Sequence, residues 1–181
     1  FVPVTQLLAD GSTIGDALGP AEAGVRRGLR LLRNGTTREA TVTKRAVTID
    51  PVSSVYGAQV LPLPGTTGVG YVNLRTYVAT ADSQLRDAFA QFRALSLDYF
   101  IVDLRYNGGG LVSTAEILGD LLGGDRSTAD VQLRMVHSAA KAAENTTRNF
   151  RPAAQSVRPV RIAFLTTEAT ASASEINVNT M

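Results

Sequence analysis

The chain has 181 residues, of which 44% are hydrophobic and 19% are charged, a balance typical of a folded globular protein. Its net charge of +2 is spread along the sequence, which argues against a nucleic-acid groove, because such a groove needs clustered cations with interleaved aromatic residues. No apolar run approaches the roughly 20 residues of a membrane-spanning helix. Cysteine is absent and His137 is the single histidine, so this chain alone builds no disulfide, thiolate site or multi-histidine metal site.

The first 50 residues are predicted to form a small β-rich unit. Two strand-like runs, 29–33 and 40–43, flank Asn34-Gly35, the strongest short hairpin signal, because both turn positions tolerate a positive φ. The proline- and glycine-rich segment 51–67 follows, and its composition predicts a linker.

From Gly68 onward, strand and helix patterns alternate. A helix is predicted from Asp82, a suitable cap, with Leu85, Phe89, Phe92 and Leu95 at helical spacing. A second helix is expected over 115–122, and the polar stretch 138–156 is expected to be a surface excursion. The predicted strands are 70–74, 97–104, 131–136 and 160–165. Two strand–turn–helix units in series predict an α/β domain with a largely parallel sheet.

The first candidate site is the turn at residues 103–110 (DLRYNGGG), and we call residues 107–110 the glycine bend. Three consecutive glycines let a ligand approach the backbone, and their N–H groups can face a negative charge. The spacing fits neither a phosphate loop nor a dinucleotide site. A plain tight turn is the alternative interpretation.

The second candidate site is residues 166–175 (TTEATASASE), here called the serine segment. Small residues flank Ser172 on both sides, so a substrate backbone can lie against it. A helix is predicted to begin there, and its dipole and free amides favour an oxyanion. Ser172 also lies three residues before Glu175, the spacing of a capping box, so a simple helix cap is the alternative.

Together the two segments resemble the C-terminal processing (tail-specific) serine peptidases, over residues 68–181 and more loosely over the first 50. The resemblance implies a crotonase/ClpP-like α/β core with a mixed, largely parallel sheet, preceded by a partial PDZ-like β-rich module. Residues 1–50 would be that module, with 29–33 and 40–45 as its closing hairpin and its carboxylate-binding loop before Phe1. Residues 51–67 would be the linker, and 68–181 the N-terminal part of the peptidase core.

The resemblance also implies roles for individual residues. Ser172 is the expected nucleophile, and the amides of Ala173 and Gly110 are the expected oxyanion hole, with Gly109 as the alternative to Gly110. Asn107 and Asp103 are expected to shape the turn. Ser174 and Glu175 are expected to cap and orient the helix.

The general base is expected to lie outside this chain. The family activates its serine with a neutral lysine of lowered pKa, which by resemblance follows the serine motif, beyond Met181. Lys44 belongs to the hairpin unit and Lys141 to the polar excursion, so neither is a credible base. His137 is the less favoured alternative. Because the chain begins without an initiator methionine and stops within a predicted helix, we expect a longer protein.

The implied function is that of a bacterial, extracytoplasmic endopeptidase in the periplasm or cell envelope. It would use a Ser/Lys dyad to cleave proteins near their C-termini, binding protein or peptide substrates through those termini. No metal or organic cofactor is implied. One alternative is a non-catalytic PDZ-containing binding or scaffold protein that retains the peptidase fold. Another is an acyl-CoA-processing enzyme, because that superfamily also binds oxyanions at strand–glycine-turn–helix corners. The serine segment argues against it, since such enzymes do not need a serine at this place.

Overall fold

The computed structural model describes residues 3–9, 13–53 and 55–181. The chain divides into two compact units, Phe1–Thr48 and Ile49–Met181. The division falls beside Asp50-Pro51, where the proline-rich segment begins.

The first unit contains two short helices and one hairpin. The helices are α1 (Val4–Ala9) and α2 (Ile14–Leu18), and strands β1 (Arg26–Arg33) and β2 (Thr36–Thr43) pair antiparallel along their full length. Asn34 and Gly35 have φ values of 51° and 75°, the two positive angles that a tight hairpin turn of this kind requires. The predicted hairpin is therefore confirmed and is longer than expected, while the PDZ-like identity of the unit stays a prediction.

The second unit is built on a mixed four-stranded sheet. In their order across the sheet, its strands are β3 (Ala58–Leu61), β4 (Val69–Asn73), β5 (Tyr99–Asp103) and β8 (Arg161–Leu165). Strand β3 runs antiparallel to β4, whereas the β4–β5 and β5–β8 pairs are parallel. The predicted mixed, largely parallel sheet is confirmed. The predicted linker 51–67 is wrong over residues 58–61, which form β3 and pair with β4. The strand has only four residues, and the adjoining Pro62-Leu63-Pro64-Gly65 dominates the local composition.

Three helices accompany this sheet: α3 (Thr80–Ala94), α4 (Val112–Leu122) and α5 (Ala173–Thr180). The buried face of α3 contacts β5, since the Phe89 and Phe92 rings lie 6.2 and 5.9 Å from the Phe100 ring. The helix begins two residues before Asp82, and Leu95 caps its end with 48% of its surface exposed. In the described part of the chain, no helix combines the length and the apolarity needed to cross a membrane.

The first part of the polar stretch 138–156 forms the connection and the second strand of a β-hairpin. Strands β6 (Val131–Met135) and β7 (Thr146–Asn149) pair antiparallel and are joined through a 3₁₀ helix, Ala139–Glu144. Arg148 on β7 anchors the hairpin to α4 by ion pairs of 2.6 Å to Asp120 and 2.9 Å to Glu116. The excursion is thus an anchored part of the second unit.

Candidate active site

The glycine bend and the serine segment lie at one edge of the sheet. Strands β5 and β8 are parallel neighbours whose last residues, Asp103 and Leu165, are paired. The Leu104 N–H then donates to the Leu165 carbonyl at 2.8 Å. Both turns therefore leave the sheet at the carboxyl ends of adjacent strands, where open α/β sheets place their ligand sites.

Gly109 brings the glycine bend into direct contact with the serine segment. A Cβ atom on Gly109 would lie 2.8 Å from three atoms, namely the Ala171 carbonyl oxygen, the Ala173 nitrogen and the Ser172 Cβ. The φ of Gly109 is +99°, which side chains rarely adopt. This position therefore requires glycine on two counts, and the backbone of the bend touches the residue predicted to be the nucleophile.

Ser172 is exposed and occupies the N-cap of α5 in a strained conformation. Its φ is 58° and its ψ is −120°, an arrangement that costs of order 1–3 kcal/mol at a non-glycine residue. The Ser172 N–H donates to Glu175 Oε2 at 2.7 Å, so Glu175 caps the helix as predicted. In a capping box the hydroxyl of the cap accepts a hydrogen bond, whereas a nucleophilic hydroxyl gives up its proton, so the capping and nucleophile interpretations of Ser172 are compatible.

Three backbone amides at this corner have no hydrogen-bond partner among the described residues: those of Gly108, Gly110 and Ala173. Gly110 forms a parallel bridge with Tyr77, in which Tyr77 N–H donates to the Gly109 carbonyl at 3.0 Å and Leu111 N–H to the Tyr77 carbonyl at 2.8 Å. The Gly109 N–H is occupied, because it donates to Asn107 Oδ1 at 2.9 Å. Of the two glycines predicted as oxyanion donors, only Gly110 has a free N–H.

Two hydroxyls beside Ser172 attach the serine segment to the first turn. Thr170 Oγ1 donates to the Leu104 carbonyl at 2.8 Å, and Ser174 Oγ donates to the Asn107 carbonyl at 3.0 Å. Ser174 is fully buried and thus orients the segment against the bend, in addition to its place in the first turn of α5. The sequence signal for these two hydrogen bonds is the alternation of hydroxyl residues at 170, 172 and 174, which the residue-by-residue predictions above leave out.

Asp103 anchors the first turn through a buried carboxylate. Arg105 donates to it twice, at 2.9 and 2.6 Å, and the Tyr71 hydroxyl donates at 2.7 Å. Burial alone would raise the pKa of Asp103, but the hydrogen bonds from Arg105 and Tyr71 outweigh it and hold the pKa below its usual value. All these partners hold the turn, in line with the shaping role expected for Asp103.

We expect Asp103→Asn to destabilise the protein at neutral pH by about 1–3 kcal/mol, the range for losing charge-assisted hydrogen bonds. A carboxyl with a lowered folded-state pKa stabilises above its unfolded pKa of about 4, and this contribution is lost as the pH falls through the folded value. Urea unfolding at several pH values should therefore show a difference between the two proteins that shrinks below pH 4. A difference that grows toward acid pH would contradict this interpretation.

None of the described hydrogen bonds or ion pairs joins a candidate base to Ser172. Lys44 Nζ donates to the carbonyls of Gly19 and Pro20 within the first unit, both at 2.7 Å. Lys141 is exposed and lies 3.9 Å from the Glu144 carboxylate. His137 is exposed as well.

The fold resembles solved structures of proteases. An S41 protease from Bacteroides fragilis matches with a TM-score of 0.65 and 24% identity, over 84% of this chain and 43% of that one. The photosystem II D1 C-terminal processing protease matches with a TM-score of 0.58 and 24% identity, over 88% of this chain and 41% of that one. At this identity the likeness establishes the fold.

Sequence comparison identifies the family. The chain is 34% identical over 84 residues to carboxyl-terminal-processing peptidase 2, chloroplastic, of Arabidopsis thaliana, covering 44% of this chain and 16% of that protein. It is 32% identical over 93 residues to the chloroplastic C-terminal processing peptidase of Tetradesmus obliquus, covering 46% of this chain and 20% of that protein. The chain thus spans only part of the length of these relatives. The model of peptidase family S41 matches residues 68–181, more than half of the chain, and the chain therefore belongs to peptidase family S41.

Proposed function

We propose that the second unit carries the nucleophile and the oxyanion hole of a serine endopeptidase that cleaves proteins near their C-termini. One observation carries the proposal. Ser172 is exposed at a helix N-terminus, in a strained conformation, and touches a bend whose Gly110 amide is free. An exposed hydroxyl beside unpaired N–H donors is the arrangement that acyl transfer needs.

In the proposed mechanism, Ser172 Oγ attacks the carbonyl carbon of the scissile peptide bond. The Gly110 and Ala173 N–H groups donate to the oxyanion as it forms, and Gly109 is the alternative donor only if its bond to Asn107 breaks. A neutral lysine from outside this chain accepts the Ser172 proton and returns it to the leaving amine. Water then attacks the carbonyl carbon of the acyl-enzyme while the lysine accepts its proton. The lysine returns that proton to Ser172 Oγ as the ester bond breaks.

The proposed substrates are proteins or peptides bound through their C-termini. We assign this recognition to a PDZ-like module whose carboxylate-binding loop lies before Phe1 and whose closing hairpin is the β1–β2 pair of the first unit. We place the protein outside the cytoplasm of a bacterium, in the periplasm or cell envelope.

A non-catalytic scaffold protein is the second candidate, favoured by the lack of a base bonded to Ser172 among the described residues. A fluorophosphonate probe separates the two candidates, since it reacts with an activated serine and not with an ordinary hydroxyl. In the complete protein we expect the probe on Ser172, mapped by mass spectrometry of the labelled peptide.

Two variants control that labelling experiment. Ser138→Ala removes an exposed hydroxyl in the polar excursion that makes no side-chain capping bond, and it should leave the labelling in place. Ser172→Ala should abolish it. A complete protein that stays unlabelled while folded would favour the scaffold function.

A further inference from the structure

Asn107 is the residue through which the glycine bend is held on two sides. It is fully buried. Its side-chain Nδ2 donates to the Leu74 carbonyl at 2.7 Å, just beyond β4, and its Oδ1 accepts from the Gly109 N–H at 2.9 Å. Its carbonyl accepts from Ser174 Oγ at 3.0 Å and from the Ala171 N–H at 3.2 Å. One residue thus ties the bend to a neighbouring strand and to the serine segment.

We propose that Asn107 is the positioning residue of the oxyanion hole, because it occupies the Gly109 amide and leaves the Gly110 amide as the donor. The inference rests on the proposed function and goes beyond it, since that function needs only a free amide near Ser172. Of the three glycines in the bend, Gly108 also has a free amide, but a Cβ on it would meet nothing within 4 Å, whereas Gly109 packs against the serine segment. Gly109 and Gly110 differ in that only the Gly109 N–H is bonded, to Asn107.

The side chain of asparagine suits this task for a chemical reason. Its amide offers a donor and an acceptor in one rigid plane, so one short group can hold the Leu74 carbonyl and the Gly109 N–H together. An aspartate offers acceptors only when ionised and cannot donate to Leu74. An alanine offers neither, which leaves two buried backbone groups without partners.

Loss of the Asn107 side-chain hydrogen bonds should lower the rate of the chemical step, because the oxyanion donors act there. Displacements of about 1 Å at a catalytic group cost of order 10²-fold in rate, and removing one oxyanion donor costs about 10²–10³-fold in kcat. Substrate binding in the ground state makes no use of the oxyanion donors. We therefore expect Asn107→Ala and Asn107→Asp, in the complete protein, to lower kcat about 10²–10³-fold with KM changed less than about threefold.

Affinity for a peptide aldehyde provides the second readout, because its adduct with Ser172 carries the oxygen that the hole binds. That affinity should fall by about the same factor as kcat/KM. Gln132→Ala is the matched control: it also deletes a buried amide, which donates to the Glu116 carbonyl and accepts from Arg148 and so bonds neither the glycine bend nor the serine segment. Per folded molecule, this control should retain kcat and aldehyde affinity.

Amide hydrogen exchange of the unsubstituted protein tests the same inference without any variant. The Gly110 amide should exchange quickly and become protected when the aldehyde binds, whereas the Gly109 amide should be protected in both states. Protection gained by Gly109 in place of Gly110 would overturn the inference. So would an unchanged kcat in folded Asn107 variants, or an equal loss in Gln132→Ala, while Ser172→Ala is inactive. A fully active Ser172→Ala protein would instead refute the proposed function itself.

Discussion

Ser172→Ala in the complete protein should lower kcat by about 10⁴–10⁶-fold, the loss expected when a serine nucleophile is deleted. The substitution removes only Oγ. The Gly110 and Ala173 amides and the hydrogen bond from the residue 172 N–H to Glu175 are all retained. The rate should be measured on a peptide with a free C-terminus, with the folded fraction taken from circular dichroism. Activity within tenfold of the unsubstituted enzyme would show that another group is the nucleophile.

Ser172→Gly is the matched variant for this position, because it separates strain from chemistry. It is equally unable to attack a carbonyl, yet glycine adopts the φ of 58° and ψ of −120° without penalty. Release of about 1–3 kcal/mol of strain should make the glycine variant unfold at least about 2 °C above the alanine variant. Equal unfolding temperatures would mean that the backbone at Ser172 stores no such strain.

The three parallel strands β4, β5 and β8, the hairpin turn and the two chemical segments were predictable because each has a local signal. The Asn34-Gly35 pair requires positive φ angles at adjacent residues. The apolar runs that became β5 and β8 are each followed directly by small or polar residues, and parallel strands bring such turns to one edge. Local patterns of this kind depend on a few neighbouring residues and can be read from a single sequence.

The contacts that assemble the site were not predictable in this way, because they join residues far apart in the chain. The hydroxyl of Thr170 bonds a carbonyl 66 residues away and that of Ser174 one 67 residues away. The choice between the Gly109 and Gly110 amides likewise depends on hydrogen bonds to Asn107 and Tyr77 that no spacing rule encodes. Resemblance favours Gly110 over Gly109, and the free Gly110 amide is a physical reason for that preference.

Gly109→Ala should lower kcat about 10²–10³-fold, because it forces apart the two turns that form the proposed oxyanion hole. The new Cβ would lie 2.8 Å from the Ala171 carbonyl oxygen, the Ala173 nitrogen and the Ser172 Cβ. Two of these are backbone atoms that cannot rotate away, and a φ of +99° adds strain at any side chain. The bend must therefore retreat from Ser172, which moves the neighbouring Gly110 amide away from the carbonyl under attack. Assays of kcat and KM on the folded variant measure this loss.

Gly108→Ala is the matched control for that substitution, one residue earlier in the same bend. A Cβ on Gly108 meets nothing within 4 Å, and Gly108 is not among the positive-φ residues. The control should keep kcat within about threefold and stability within about 0.5 kcal/mol, whereas Gly109→Ala should also lose about 1–3 kcal/mol of stability. Near-wild-type kcat in Gly109→Ala would mean that close contact between the bend and Ser172 is unnecessary for catalysis. Equal losses in the two variants would assign the effect to the lost flexibility of the bend instead, because only position 109 faces the serine segment this closely.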